Sequence, residues 1–194
     1  KAARHDYLND LALGEVNGIV QPQTRQDIMR LYKQLLQRMG YARIGRDLTY
    51  RIYKSYGKLP TTMYDDVLPT LQALQKQPLT LGILSNHSAS TRTIMESMVN
   101  GFIKPQHIII SEELGVHKPS KTIFRHAAAR LHTPPENCLY VGDNLYVDAI
   151  GSVIKGKYGL GVWVDRHNQQ VAQDFPEQVV RITYLQQLID FLNG

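Results

Sequence analysis

The sequence predicts an α/β fold, a Rossmann-like parallel sheet with flanking helices, joined to a small α-helical domain. Three observations predict it. Short apolar runs recur at 79–84, 107–110, 138–141, 160–164 and 179–182. Stretches of helical period lie between them, and strands alternating with helices imply parallel strands joined by crossovers. No convincing strand precedes residue 79, so the opening third of the chain reads as helices alone. The helical domain is assigned to residues 1–64 and the α/β core to 65–194.

In chain order, Tyr7, Leu8, Leu11 and Ala12 form a short helical stripe over 5–13, and 14–18 reads as a loop. Thr24 to Asp27 resembles a capping box. Behind it Ile28, Leu31, Tyr32, Leu35, Leu36 and Met39 recur at the spacing of one helix face, and Gly40 supplies a stop. A further helix covers 47–56, with Leu48, Ile52 and Tyr53 on one side. Residues 61–66 form a link, and Pro69 suits the first turn of the next helix. Helices are also expected around Ile94, Met95 and Met98, behind a Ser120 cap, across Val147, Ile150 and Val153, and over 184–192. The intervening apolar runs are continuous rather than alternating, as in parallel strands buried on both faces.

Composition excludes several classes. Hydrophobic residues at 43% and charged residues at 20% describe an ordinary globular chain. Cys138 is the single cysteine, so no intrachain disulfide forms, and its apolar setting marks a small core residue. No apolar run nears the ~18 residues that span a bilayer, and no signal-peptide pattern opens the chain. No membrane partner is expected, and the location expected is cytoplasmic. The first 60 residues hold 11 Lys/Arg against 5 Asp/Glu, while the rest hold 11 against 12. That basic lobe would attract anions. Tyr50, Tyr53 and Tyr56 alternate there with Arg51, Lys54 and Lys58, which suits either nucleic-acid stacking or an amphipathic helix with an aromatic edge. The second reading is preferred, and nucleic acid is not expected as a partner.

Three groups follow apolar runs and carry chemistry. Ser85 and Asn86 follow the first run. Lys118-Pro119 follows 111–117. Asp143 and Asp148 follow the run at 138–141. The carboxyl edge of an open α/β sheet is where ligands bind. A hydroxyl with backbone N–H groups, an ammonium and a carboxylate-held cation at that edge together form a phosphate site. Two carboxylates with a phosphate suit Mg²⁺. Each group alone is a weak signal, since strand ends often carry turns and caps; their order and spacing together are specific.

On these residues the chain resembles the haloacid dehalogenase-like hydrolases. Ser85-Asn86, Lys118-Pro119 with Ile123-Phe124, and Gly142-Asp143-Asn144 with Asp148 look like that family's second, third and fourth motifs, over about residues 65–166. The resemblance implies that Ser85 and Asn86 bind phosphate and that Lys118 holds nucleophile and phosphate together. It also implies that Asp143 ligates Mg²⁺, and that Asp148 supports the metal shell or positions Lys118. It makes the helical lobe a cap inserted after the first motif. The implied activity is Mg²⁺-dependent hydrolysis of a small phosphorylated metabolite through an aspartyl-phosphate.

One departure stands out. The family's first motif, an Asp-x-Asp at the end of a buried strand, has no counterpart, since no Asp-x-Asp occurs in the sequence. That strand is central in the family's sheet, between the strands ending at Ser85 and near Asp143. A sheet without it would have a gap lined by unpaired backbone groups. The expectation is therefore a longer protein, with a strand, nucleophile loop and linker of roughly 15–30 residues before Lys1. Two alternatives stay open: a 2-haloacid dehalogenase, which needs Lys118 but no metal, and a non-catalytic binding protein. Tyr32, Arg43, Arg46 and Arg51 are weak candidates for leaving-group contacts, and His87 and His117 flank the site.

Overall fold

The computed structural model describes residues 25–56, 62–169 and 175–193. The expected stripe at 5–13, the loop at 14–18, the cap residue Thr24 and Lys58 lie outside them. The chain divides into two compact units, Lys1–Thr61 and Thr62–Gly194.

In the first unit, helices α1 (Arg25–Arg38) and α2 (Arg46–Tyr56) pack on each other. α1 stops where Gly40 takes a φ of 90°. Gly40 N–H then donates to Gln37 O and Tyr41 N–H to Leu36 O, each at 3.0 Å. These two bonds satisfy carbonyls that the helix end would otherwise leave open. In α2, Tyr50 and Tyr53 are half-buried while Arg51 and Lys54 are exposed. The helix is amphipathic with an aromatic edge.

The second unit runs α3 (Val67–Leu74), β1 (Ile83–Ser85), α4 (Arg92–Met98), β2 (Ile108–Ile110), α5 (Ser111–Leu114), α6 (Lys121–Arg130) and β3 (Leu139–Gly142). Two π-helical segments follow (Leu145–Ile150 and Ser152–Gly156), then β4 (Leu160–Val164), β5 (Val179–Ile182) and α7 (Gln186–Asn193). All pairings are parallel. β1 pairs with β2, Ile83 opposite Ile108. β3 pairs with β4, Leu139 opposite Leu160, and β4 with β5, Gly161 opposite Val179. Among the described residues these are two sheets, and no strand joins β1 to β3.

Both sheets nevertheless belong to one interior. Ile109 of β2 packs with Leu84, Ile123, Phe124 and Cys138 on one side. Ile108 and Ile110 pack with Val99, Leu71 and Met95 on the other. In β4, Val162 and Val164 meet Leu74 and Leu188, while Trp163 meets Leu145, Ala149 and Val153. Successive strand residues thus bury opposite faces, which is why these runs are apolar without alternation. Each fully buried side chain such as Ile110, Ile123 or Phe124 contributes about 1.5–3 kcal/mol.

Two elements differ from expectation. The run at 79–84 pairs only from Ile83 onward, and Leu79 is exposed. Leu81 is packed into the core without a ladder partner, because apolarity selects burial whereas a strand also needs a neighbour. The helix after β3 is wound as π rather than α. Ala149 N–H reaches back to Asn144 O at 3.3 Å, a five-residue bond. The core residues Leu145, Ala149 and Val153 follow at intervals of four, which suits the wider turn.

Asp66 fixes the entry into this unit. Its carboxylate takes both Arg166 Nη1–H and Nη2–H at 2.9 Å and Leu185 N–H at 2.8 Å. The Arg166 guanidinium lies 4.1 Å from the Tyr64 ring centre. The Arg166 hydrogen bonds outweigh burial and hold the Asp66 carboxyl below its ordinary range. No helix among the described residues is long and apolar enough to cross a membrane.

Candidate functional site

The site is built at the carboxyl ends of β1 and β3. β1 ends on half-buried Ser85, and Asn86 follows at once. The loop beyond is tied down by α5. Ser111 Oγ accepts from His87 N–H at 3.1 Å, and Glu112 Oε2 accepts from Ser88 Oγ at 2.8 Å and Ala89 N–H at 2.7 Å. Arg92 adds an ion pair to Glu113. A short turn is thereby held from several sides, and Ser85 starts from a fixed base.

Asn86 reaches across to the Lys118 loop. Its Oδ1 accepts Lys118 N–H at 2.8 Å, and its Nδ2 donates to Lys118 O at 2.9 Å. The Lys118–Pro119 peptide bond is cis. The Lys118 side chain is buried, with the residue 7% exposed, and its Nζ donates to Asp148 Oδ1 at 2.7 Å and Tyr140 OH at 2.6 Å. Burial alone would lower the basicity of this ammonium. The Asp148 carboxylate and the Tyr140 hydroxyl beside it outweigh that, and the net direction is upward. Lys118 is a permanent cation over the pH range of enzyme chemistry.

Asp148 is 4% exposed and engaged at both oxygens, for its Oδ2 accepts Asn144 N–H at 3.1 Å. Asn144 caps the π-helical turn, accepting Tyr146 N–H at 3.1 Å and Val147 N–H at 2.9 Å. Gly142 is required beside this carboxylate, since a Cβ there would stand 2.5 Å from Asp148 atoms. Gly151 is needed for a similar reason further along, where a Cβ would meet Pro119 Cβ at 2.7 Å. The two glycines let β3, the π-helical segments and the Lys118 loop close on one another.

Asp143 has the opposite character. It is exposed, and its carboxylate has no hydrogen bond or ion pair among the described residues. Its main-chain carbonyl accepts Trp163 Nε1–H at 3.2 Å, which ties its backbone to β4. No group of three acidic, His or Cys side chains converges to hold a metal among the described residues. The donor set fits Mg²⁺ through Asp143, a hard oxygen ligand with no competing partner among the described residues. Asp148 lies deeper, with one oxygen accepting from Lys118 Nζ and the other from Asn144 N–H.

Sequence reasoning missed Tyr140. Its OH accepts from Lys118 Nζ and donates to Leu84 O at 2.7 Å, so one side chain links β3 to β1. Burial pushes its phenol upward, and it stays neutral. A tyrosine inside an apolar strand reads as core, and the one hint was its polar tip among apolar neighbours. His87 Nδ1 accepts Ser88 N–H at 2.9 Å and His117 O accepts Ser120 N–H at 2.8 Å, so both residues support local turns. In the first unit Tyr32 is buried, while Arg43, Arg46 and Arg51 are exposed.

The sequence profile of the haloacid dehalogenase-like hydrolases matches residues 5–152. The chain belongs to this family. Among relatives of that family, it is 37% identical over 91 residues to the glyceraldehyde 3-phosphate phosphatase of Methanopyrus kandleri, covering 46% of this chain and 38% of that protein. It is 27% identical over 140 residues to the phosphoserine phosphatase of Thermus thermophilus, covering 71% and 54%. It is 29% identical over 113 residues to the (S)-2-haloacid dehalogenase of Pseudomonas putida, covering 57% and 47%. The chain thus spans about half the length, or less, of the curated relatives it matches. Solved structures show the same fold. The YfnB HAD-hydrolase of Bacillus subtilis, bound to magnesium, superposes with a TM-score of 0.76 at 23% identity, over 100% of this chain and 82% of that one. A HAD phosphatase from Thermococcus onnurineus does so with a TM-score of 0.62 at 20% identity, over 97% and 89%. The haloacid dehalogenase-like α/β fold expected from the motifs is the observed one.

Proposed function

We propose that the protein is a phosphatase acting on a small phosphorylated metabolite. The observation that supports this most is Lys118, a buried and permanently charged ammonium clamped between the ends of β1 and β3. Phosphate monoesters are among the slowest of uncatalysed substrates, so their hydrolysis needs fixed positive charge in a dry setting. Ser85 Oγ–H donates to a phosphoryl oxygen. Lys118 neutralises charge on the transferring group, and Asp148 keeps the ammonium oriented and protonated. Asp143 would hold Mg²⁺, which supplies further charge neutralisation when bound.

The attacking group in this reading is an aspartate on a strand between β1 and β3. The unjoined sheets and their shared core support that location. A carboxylate oxygen forms a bond to phosphorus as the ester P–O bond breaks, the second carboxyl group of the family's Asp-x-Asp gives its proton to the leaving alkoxide, and water then hydrolyses the acyl phosphate. The two phosphatase relatives support the substrate class, and the dehalogenase relative supplies the rival reading.

The test is para-nitrophenyl phosphate with the full-length protein in Mg²⁺. Phosphate release that stops in EDTA and falls in Lys118→Met is expected. Chloride release from 2-chloropropionate that persists in EDTA would establish the dehalogenase instead. Neither reaction would leave the binding protein.

A further inference from the structure

We infer that Asn86 is a positioning residue for Lys118, acting on the lysine backbone rather than on the substrate. The inference rests on the phosphate site proposed above and deepens it.

Asn86 spends one acceptor and one donor on a single residue 32 positions away. Lys118 N–H enters its Oδ1 at 2.8 Å, and its Nδ2–H enters Lys118 O at 2.9 Å. A side-chain amide that closes on both polar groups of one residue imitates a strand partner, and it fixes position and orientation together. The Lys118 side chain is fixed separately, by Asp148 and Tyr140 at its far end. The lysine is therefore held at both ends, and each end is held from a different element. Asp148 and Tyr140 belong to the β3 side. Asn86 is the β1 side's hold on it, one residue after Ser85. Through Asn86, the hydroxyl and the ammonium of the phosphate site are set in one frame.

This coupling has a function that the ion pair alone lacks. A lysine has four rotatable carbons, so a charge partner at its tip does not determine where its Cα stands. Displacements near 1 Å at a reacting centre cost up to about 10²-fold in rate. Fixing the Lys118 backbone from the Ser85 loop removes that freedom. Loss of the Asn86 amide is expected to weaken the lysine's action by about tenfold, the effect of about one well-made hydrogen bond.

A double-mutant cycle on the full-length protein separates the roles. Binding of inorganic phosphate is measured by calorimetry for wild type, Asn86→Ala, Lys118→Met and the double variant. Asn86→Ala is expected to weaken binding about tenfold alone. In the Lys118→Met background the same change is expected to cost less than about twofold, because residues that act through one another are not additive. Equal weakening in both backgrounds would make Asn86 a phosphate ligand in its own right and overturn the inference. If wild type binds no phosphate, the phosphatase reading falls. The clamp is then judged by hydrogen exchange at the Lys118 amide. Exchange about tenfold faster in Asn86→Ala than in wild type and Ser85→Ala supports it, and unchanged exchange overturns it.

Discussion

Two ion pairs in the second unit are built from similar groups and serve different ends. At the carboxyl ends of β1 and β3, Lys118, Asp148 and Tyr140 meet in the interior. At the start of α3, Arg166, Asp66 and Tyr64 meet nearer the surface. The second trio uses a planar guanidinium that fits its carboxylate at two points and lies over the ring, a geometry that stabilises without demanding full burial. The first uses a compact ammonium that is taken out of water almost entirely. Burying two charges costs more than such a pair returns unless every remaining bond is made. A fold tolerates that cost where a fixed charge has chemical work, and holds a chain entry with the cheaper pair elsewhere.

The largest expected effect breaks the first trio. Asp148→Ala strands the Lys118 ammonium in the interior and should cost about 3–5 kcal/mol of stability in urea melts. Adding Lys118→Met to that variant should recover most of the loss, while phosphatase activity stays absent. Failure of the double variant to regain stability would mean that the carboxylate is needed for the π-helical turn instead. Lys118→Met alone should lower kcat/KM by about 10²–10³, the range found when one fixed donor to a developing charge is removed. Because the folded ammonium is held above its ordinary value, its stabilising effect is complete at neutral pH and is lost only as pH rises through that higher folded value. The rate profile should therefore show no limb from Lys118 below about pH 10.

The Asp66 trio should respond less and in the opposite pH direction. Asp66→Asn should cost about 1.5–3 kcal/mol at pH 7, with kcat changed less than about twofold. The Asp66 carboxyl is held below its ordinary value, so its contribution is present above about pH 4 and fades as pH falls through the folded value. Melts of wild type and Asp66→Asn should converge as the pH falls, and a gap that stays constant would refute the assignment. Tyr140→Phe should cost a comparable amount, about 1.5–3 kcal/mol, because it takes an acceptor from the buried Lys118 ammonium and a donor from Leu84 O. A larger loss would show that this hydroxyl is a principal tie between the sheets.

The outer features of both regions were legible in sequence. β2, β3 and β4 announce themselves because strands buried on both faces are largely apolar, while β5 with its exposed Arg181 is a weaker signal. Asn86 and Asp143 stand out as polar residues directly after strands, whereas Lys118 and Asp148 are singled out only by their order and spacing relative to them. What joins them was not. Asn86 meets Lys118 across 32 residues, Tyr140 meets Leu84 across 56, and Arg166 meets Asp66 across 100. No local spacing encodes such pairs. The difference between Asp143 and Asp148 was legible only through the family resemblance, since two carboxylates five residues apart look alike until one is buried. The run at 79–84 shows the converse, a correct apolar signal whose first half finds no partner to pair with.

Gly142 carries a consequence for how this protein can change over generations. Any side chain there would collide with Asp148, so the two positions behave as one inherited unit. A substitution at 142 would press directly on the Asp148 carboxylate and through it be felt at Lys118. Drift at 142 is therefore closed while the lysine is under selection. Once Lys118 lost its work, 148 would be free to change first, and a smaller residue there would in turn open 142.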